Sequence, residues 1–253
     1  MRLVILAVLP GLVFLAVLSE AADQDVNTIF EKGCDFYEDG DFEAAVEHFA
    51  ELAESGVRDA TVYYNLANCY FRQDRMGKAV ANYRRALMLA PRDRDATANL
   101  ELLRRTVGAG DTTATYHLGN LALIPLRLLS PRELQAAFYV GYYVTVLCFL
   151  GILFFKGGLR RVSLRAFILS GIVTIAFLVF SSYGVSRFND SSDGVVISDA
   201  AGLKSGPGDA FSELTRLPDG AEVRLRAQSG LWIEVELPGG EVGWLRQSDL
   251  EHI

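Results

Sequence analysis

Ala67-Asn68-Cys69-Tyr70-Phe71-Arg72 and, after the stretch 73–78, Ala79-Val80-Ala81-Asn82-Tyr83-Arg84-Arg85-Ala86-Leu87-Met88-Leu89-Ala90-Pro91 set small and aromatic residues at fixed spacings inside two helix-length runs. Sliding the chain along itself by 34 residues finds the same pattern upstream. Gly33 lies over Ala67, Phe36 over Tyr70, Ala45 over Ala79 and Phe49 over Tyr83. Small residues let two helices approach closely, and the rings fill the space beside them. Pro91 lacks a backbone N–H and stops the second run. A third unit opens at Arg94 but has only a first helix, about Asp95 to Arg105, with Leu100, Leu102 and Leu103 on its apolar side. The pattern predicts five stacked helices without a strand over residues 23–107, the last half-unit capping the stack.

These residues resemble the tetratricopeptide repeat. Ala67, Tyr70, Ala79, Tyr83, Ala86 and Pro91 complete its set of small, aromatic and proline positions in the second unit. In the first unit Gly33, Phe36, Ala45 and Phe49 match, and Leu52 and Val57 depart from the pattern. The resemblance implies a concave groove that binds an extended peptide or a partner domain. It places Phe30, Cys34, Tyr37, Tyr64, Asn68, Phe71, Arg72, Ala98 and Leu102 on that groove. The clamp by which some relatives hold a C-terminal carboxylate needs Lys, Asn, Asn, Lys and Arg where this chain has Phe30, Cys34, Asn68, Ala98 and Leu102, so that ligand is rejected. The candidate partner-binding residues are Phe30, Tyr37, Tyr64, Asn68, Phe71 and Arg72; packing between helices is the alternative role for the rings. Charge is divided along the repeats. Residues 23–59 are acidic and residues 72–105 basic, which either orients a partner or forms a solvated helix face.

The chain is 51% hydrophobic, and the excess sits in three stretches rather than spread evenly. Residues 1–21 read as a signal peptide: Arg2, an apolar run from Leu3 to Leu18, and Ser19-Glu20-Ala21 ahead of a cut after Ala21. An uncleaved anchor is the alternative. Leu134–Phe155 and Ala166–Ser186 carry no charge and are each long enough to span a bilayer as a helix. They predict transmembrane helices over 134–155 and 166–186. The loop 156–165 between them holds Lys156, Arg160, Arg161 and Arg165 and no acid, which places it in the cytoplasm. Both flanking regions then face outward. Residues 116–133 are apolar around Pro125 and read either as an interfacial segment or as an extension of the helical domain.

Beyond a polar linker at Asn189–Gly194 the pattern changes to short alternating runs punctuated by Gly206-Pro207-Gly208, Gln228-Ser229-Gly230 and Pro238-Gly239-Gly240. A small all-β barrel over 190–253 is expected. Leu203-Lys204-Ser205-Gly206-Pro207-Gly208, Leu231-Trp232-Ile233-Glu234-Val235 and Val242-Gly243-Trp244-Leu245 resemble bacterial SH3-like (SH3b) domains. The resemblance implies that Trp232 either packs on the barrel or serves as a ligand platform for cell-wall or other short peptides.

A net charge of −7 argues against a nucleic-acid partner, which requires a basic face. His48, His117 and His252 lie in different segments, and no metal, phosphate-loop or nucleophile-elbow motif is present, so no catalytic residue, cofactor or metal site is expected. The order of parts, with Asn99-Leu100-Glu101-Leu102-Leu103-Arg104-Arg105 after the second repeat, resembles the BatE-like proteins of the Bacteroides aerotolerance (Bat) family. That resemblance implies protein partners: membrane proteins with von Willebrand A-type domains and, indirectly, a MoxR-type ATPase. It makes the chain a non-enzymatic, two-span scaffold of a bacterial cytoplasmic membrane, with both domains on the periplasmic side. The alternative is an independent sensor of cell-wall peptidoglycan.

Overall fold

The computed structural model describes residues 25–107, 129–189 and 192–253. The expected signal peptide 1–21 and most of the approach segment 116–133 lie outside these residues. Helix α1 covers 25–38, α2 Phe42–Glu54, α3 Ala60–Arg72, α4 Met76–Leu89 and α5 Arg94–Thr106. Three of these helix starts follow from local chemistry. Asp41, Asp59 and Asp93 accept N–H bonds from the first turns of α2, α3 and α5 at 2.8–3.1 Å. The turns inside the two repeats each pass through one left-handed residue, Gly40 at φ 82° and, 34 positions on, Asp74 at φ 62°.

The small residues do what their spacing implies. A Cβ on Gly33 would sit 2.9 Å from the Phe49 ring, so α1 and α2 touch only because the side chain is missing. Ala45, Ala67 and Ala79 are fully buried at the other close approaches, and Phe49 and Tyr83 fill the space between. One apolar core runs through the stack from Phe49 and Leu52 to Leu100 and Leu103.

Helices α6 (Pro131–Phe154) and α7 (Gly158–Asn189) pack as a hairpin, and both are long and apolar enough to cross a membrane. A capping box of Ser130 and Glu133, with Pro131 in the first turn, starts α6. The seam between the helices holds a polar cluster beside the Phe149–Phe167 ring contact. Thr145 Oγ1 lies 3.1 Å from Ser170 and 3.3 Å from Thr174, and Gly141 lets Thr174 approach. Hydroxyls on small residues are a common way to join helices where no water competes. One expectation is corrected here. The segment 156–165 is not a loop: the connection is Phe155–Gly157, turned by Gly157 at φ 64°, and Arg160, Arg161 and Arg165 ride on α7. Arginine is a good helix former, so a charge run does not by itself end a helix.

Seven antiparallel strands form the second domain: β1 (Asp193–Val196), β2 (Ala200–Lys204), β3 (Glu213–Pro218), β4 (Glu222–Ser229), β5 (Trp232–Glu236), β6 (Val242–Arg246) and β7 (Leu250–His252). They run in the order β3-β2-β6-β5-β4-β1-β7 around a core of Val196, Leu203, Val223, Ile233, Val235 and Leu245. A bulge between Leu225 and Ala227 bends the longest strand.

This sheet domain docks on the repeats. Val195 and Ile253 join the helical core. Arg84 reaches Asp193 at 3.1 Å and Glu222 at 3.5 Å, and Arg104 meets Glu222 at 2.6 Å with both side chains nearly buried. Arg85 pairs with Glu251 at 2.6 Å and donates to the His252 carbonyl. Helix α4 has no side-chain cap of its own. Asp219, from the turn between β3 and β4, brings its carboxyl up to the N–H groups of Met76 and Gly77, with Oδ1 buried and without a hydrogen-bond partner. The sheet domain thus rests on α4 and on the end of α5, the two helices against which a second helix of the third unit would pack. The basic half of the repeats meets acids of its own chain.

Candidate partner-binding groove

Helices α1, α3 and α5 each contribute to a recess of about 290 Å³ lined by Tyr37, Tyr64, Asn68, Phe71, Arg72, Tyr83, Asn99, Leu102 and Leu103. Its floor is a hydrogen-bonded chain. Tyr83 Oη donates to Asn68 Oδ1 at 2.5 Å, and Asn99 Nδ2 donates to Tyr83 Oη at 3.1 Å and to Tyr64 Oη at 3.4 Å. The Tyr64 ring stands edge-on to Tyr83 with centroids 5.8 Å apart. Burial pushes the Tyr83 hydroxyl well above the usual tyrosine range against the bond from Asn99, so it stays a protonated donor.

The rim is apolar and cationic. Phe71 is 37% exposed and Leu102 54% exposed. Tyr37 stands edge-on to Phe42 at 5.3 Å, and the Arg72 guanidinium lies over the Phe42 ring, 4.6 Å from its centroid. That contact fixes an otherwise flexible side chain beside the recess at little cost in new order. An apolar rim above amide and hydroxyl groups suits an extended peptide: the rim takes a side chain, and amides can match a peptide backbone's donors and acceptors.

Of the candidate residues, Tyr37, Tyr64, Asn68, Phe71 and Arg72 come together on this recess. Phe30 does not line it. Its ring packs edge-on against Phe49 at 5.5 Å and belongs to the inter-helix core. Trp232 sits on β5 of the sheet domain, with the Arg246 guanidinium 5.5 Å from its ring and Asp209 holding Arg246 at 2.5 Å. Leu231 beside it is 76% exposed. Cys34 and Ala98 do not line the recess either, and sequence reasoning missed Tyr83, Asn99 and Leu103 as groove residues. Tyr83 occupies a ring position of the repeat core, and only its hydroxyl reaches the recess. Asn99 sits one position after Ala98 on α5, in a mixed polar and apolar helix that offered no signal for it.

Among the described residues, His, Cys, Asp and Glu nowhere gather in a group of three able to hold a metal ion. The tetratricopeptide repeat family model matches residues 30–99, which span all the groove-lining residues from Tyr37 to Asn99. That match, over less than half of the chain, identifies the helical part as tetratricopeptide-like repeats. No curated protein matches the chain.

Proposed function

We propose that this chain is a non-enzymatic assembly subunit of a bacterial envelope membrane complex, in which the repeat groove takes an extended segment of a partner protein. The observation that carries the reading is the recess itself. Exposed Phe71 and Leu102 flank a part-buried amide–hydroxyl chain of Tyr64, Asn68, Tyr83 and Asn99, whose members lie within the span matched by the repeat family. Helices α6 and α7 supply the membrane anchor. The basic residues Lys156, Arg160, Arg161 and Arg165 support a cytoplasmic connecting end, which puts both domains on the outer side in this reading. The sheet domain is the SH3-like module of this arrangement. The resemblance to Bat proteins names the partners to look for, von Willebrand A-type membrane proteins and a MoxR-type ATPase linked to them.

The test is affinity purification of the tagged full-length chain from membranes in mild detergent, with mass spectrometry of what accompanies it. Recovery of von Willebrand A-type proteins, lost in Phe71→Ala/Leu102→Ala, supports the reading. Recovery of the chain alone overturns it. A second reading, a peptidoglycan sensor, is favoured by the outward Leu231–Trp232 surface beside Arg246. It requires retention on purified sacculi that Trp232→Ala abolishes.

A further inference from the structure

A second cavity, of about 710 Å³, lies where the repeats meet the apolar hairpin. One wall is the first turn of α6, Ser130 to Glu133 and Gln135, together with Ser181 of α7. These residues mark the ends of the two apolar spans, Pro131–Phe154 and Gly158–Ser182. The other wall is the α2–α3 and α4–α5 connections of the repeat domain. If α6 and α7 span a bilayer, this cavity stands in the headgroup layer, the roughly 5–7 Å of polar lipid beyond the hydrocarbon on each side.

Its charged lining is balanced, with three guanidinium groups, Arg58, Arg92 and Arg132, against three carboxylates, Asp59, Asp93 and Glu133. Two ion pairs cross from the repeats to α6: Arg92 with Glu133, and Asp59 with Arg132 at 3.0 Å. Neither pair uses up its partners. A guanidinium has five donors and a carboxylate accepts at several positions. Arg92 and Arg132 remain 63% and 80% exposed, so their spare donors face the open space. For Asp59, burial acts to raise the pKa, but hydrogen bonds from Thr61 and Arg132 outweigh it and hold the carboxyl below its usual range. It stays charged.

We propose that this junction binds the headgroup of a zwitterionic phospholipid with a primary amine, the phosphate on the arginines and the ammonium on the carboxylates. The inference rests on reading α6 and α7 as membrane-spanning. A neutral, two-signed lining favours a ligand that carries both signs over a net anion, which gains from the arginines what it loses to the carboxylates. The ammonium must be primary. Three N–H donors satisfy carboxylates, and a quaternary ammonium has none to offer. The volume lies in the range of sites that take small ligands, with room for ordered water beside the headgroup. A lipid held here fastens the repeat domain to the bilayer surface at the first turn of α6.

The experiment uses the full-length protein in nanodiscs of phosphatidylcholine doped with phosphatidylethanolamine or with phosphatidylglycerol. Retained lipid is read by native mass spectrometry after transfer to mild detergent. The expected result is one tightly held phosphatidylethanolamine per chain, preferred by about tenfold over the other two lipids. The adduct should disappear in Arg92→Gln/Arg132→Gln, weaken in Arg132→Lys, which keeps the charge but loses the fork, and persist in Phe71→Ala. Helix content by circular dichroism separates loss of the site from loss of the fold. Equal retention of the three lipids, or an adduct unchanged in the double variant, overturns the proposal. So does inorganic phosphate that raises the melting temperature of the detergent-solubilised protein as much as the lipid does, since the site then takes free phosphate. Failure to enter nanodiscs at all is a different result: it removes the membrane reading, and the headgroup site falls with it.

Discussion

Tyr83 fills the repeat core with its ring and builds the groove with its hydroxyl, and only the first role follows from its spacing. The ring is buried between α3 and α5, while Oη links Asn68 to Asn99. Tyr83→Phe keeps the packing and leaves two part-buried amides short of a partner. It should cost about 1–2 kcal/mol, read as a melting temperature lower by a few degrees. Asp219 carries a pH dependence of unusual sign. Burial raises its pKa above 3.8, Asp199 adds to the shift, and the facing N–H groups of Met76, Gly77 and Gly220 only partly oppose it. At pH values between its unfolded and folded pKa the docked carboxyl therefore binds more proton than the same group in the unfolded chain. Its contribution favours the docked state below its folded pKa and declines as pH rises through that value. This is opposite to Asp59, whose lowered pKa contributes stability that is lost as pH falls. Urea denaturation followed by Trp232 and Trp244 fluorescence, from about pH 7 down to about pH 4, checks this. Asp219→Asn should remove that component of the slope; an unchanged slope contradicts it. Neither Asp219 nor Asn99 is marked by any period in the sequence, because each acts on a neighbour from another element.

At the scale of elements, the helices of the repeats were legible because their packing is local. A small residue and a ring recur every 34 positions, and each unit touches only the next. The apolar helices were legible from length alone, and their junction was not, since helix propensity carried α7 back through the basic run to Gly158. Helix α4 shows what stays hidden. Its first turn contains Gly77, an unfavourable helix residue by about 1 kcal/mol relative to Ala. The reason lies in the sheet domain: a Cβ there would stand 2.1 Å from the Val196 carbonyl and 2.2 Å from Asp219 Oδ1. Gly77→Ala should therefore leave α4 helical and push the sheet domain off it. Amide hydrogen exchange is expected to rise at β1 and at the first turn of α4, with far-ultraviolet circular dichroism unchanged. Stronger protection instead would mean that helix propensity outweighs the close approach.

For the whole molecule, the charge division along the repeats was legible and its use was not. Its partners, Asp193, Glu222 and Glu251, lie more than 100 residues downstream of Arg84, Arg85 and Arg104. Breaking the Arg104–Glu222 pair leaves a nearly buried charge beside Arg84 alone. Arg104→Ala should cost about 3 kcal/mol of docking. The Arg104→Ala/Glu222→Gln double variant should recover part of that loss, a coupling that a double-mutant cycle measures directly. Additive losses would show that the pair is a surface contact only. Tyr37, Tyr64, Asn68, Phe71 and Arg72 were readable as groove candidates because they inherit the repeat spacing, whereas the interdomain face belongs to no repeat and has no period to betray it. That face also bears on how such a protein can change over time. Tandem arrays ordinarily lengthen by duplicating a unit, and the new copy finds its neighbour's surface ready-made. Here the surface that a further copy would use is taken by a fold of another kind, fitted to particular arginines and one glycine. Growth by duplication is closed at this end, so lineages of this architecture should keep the α4–α5 pair next to the sheet unchanged.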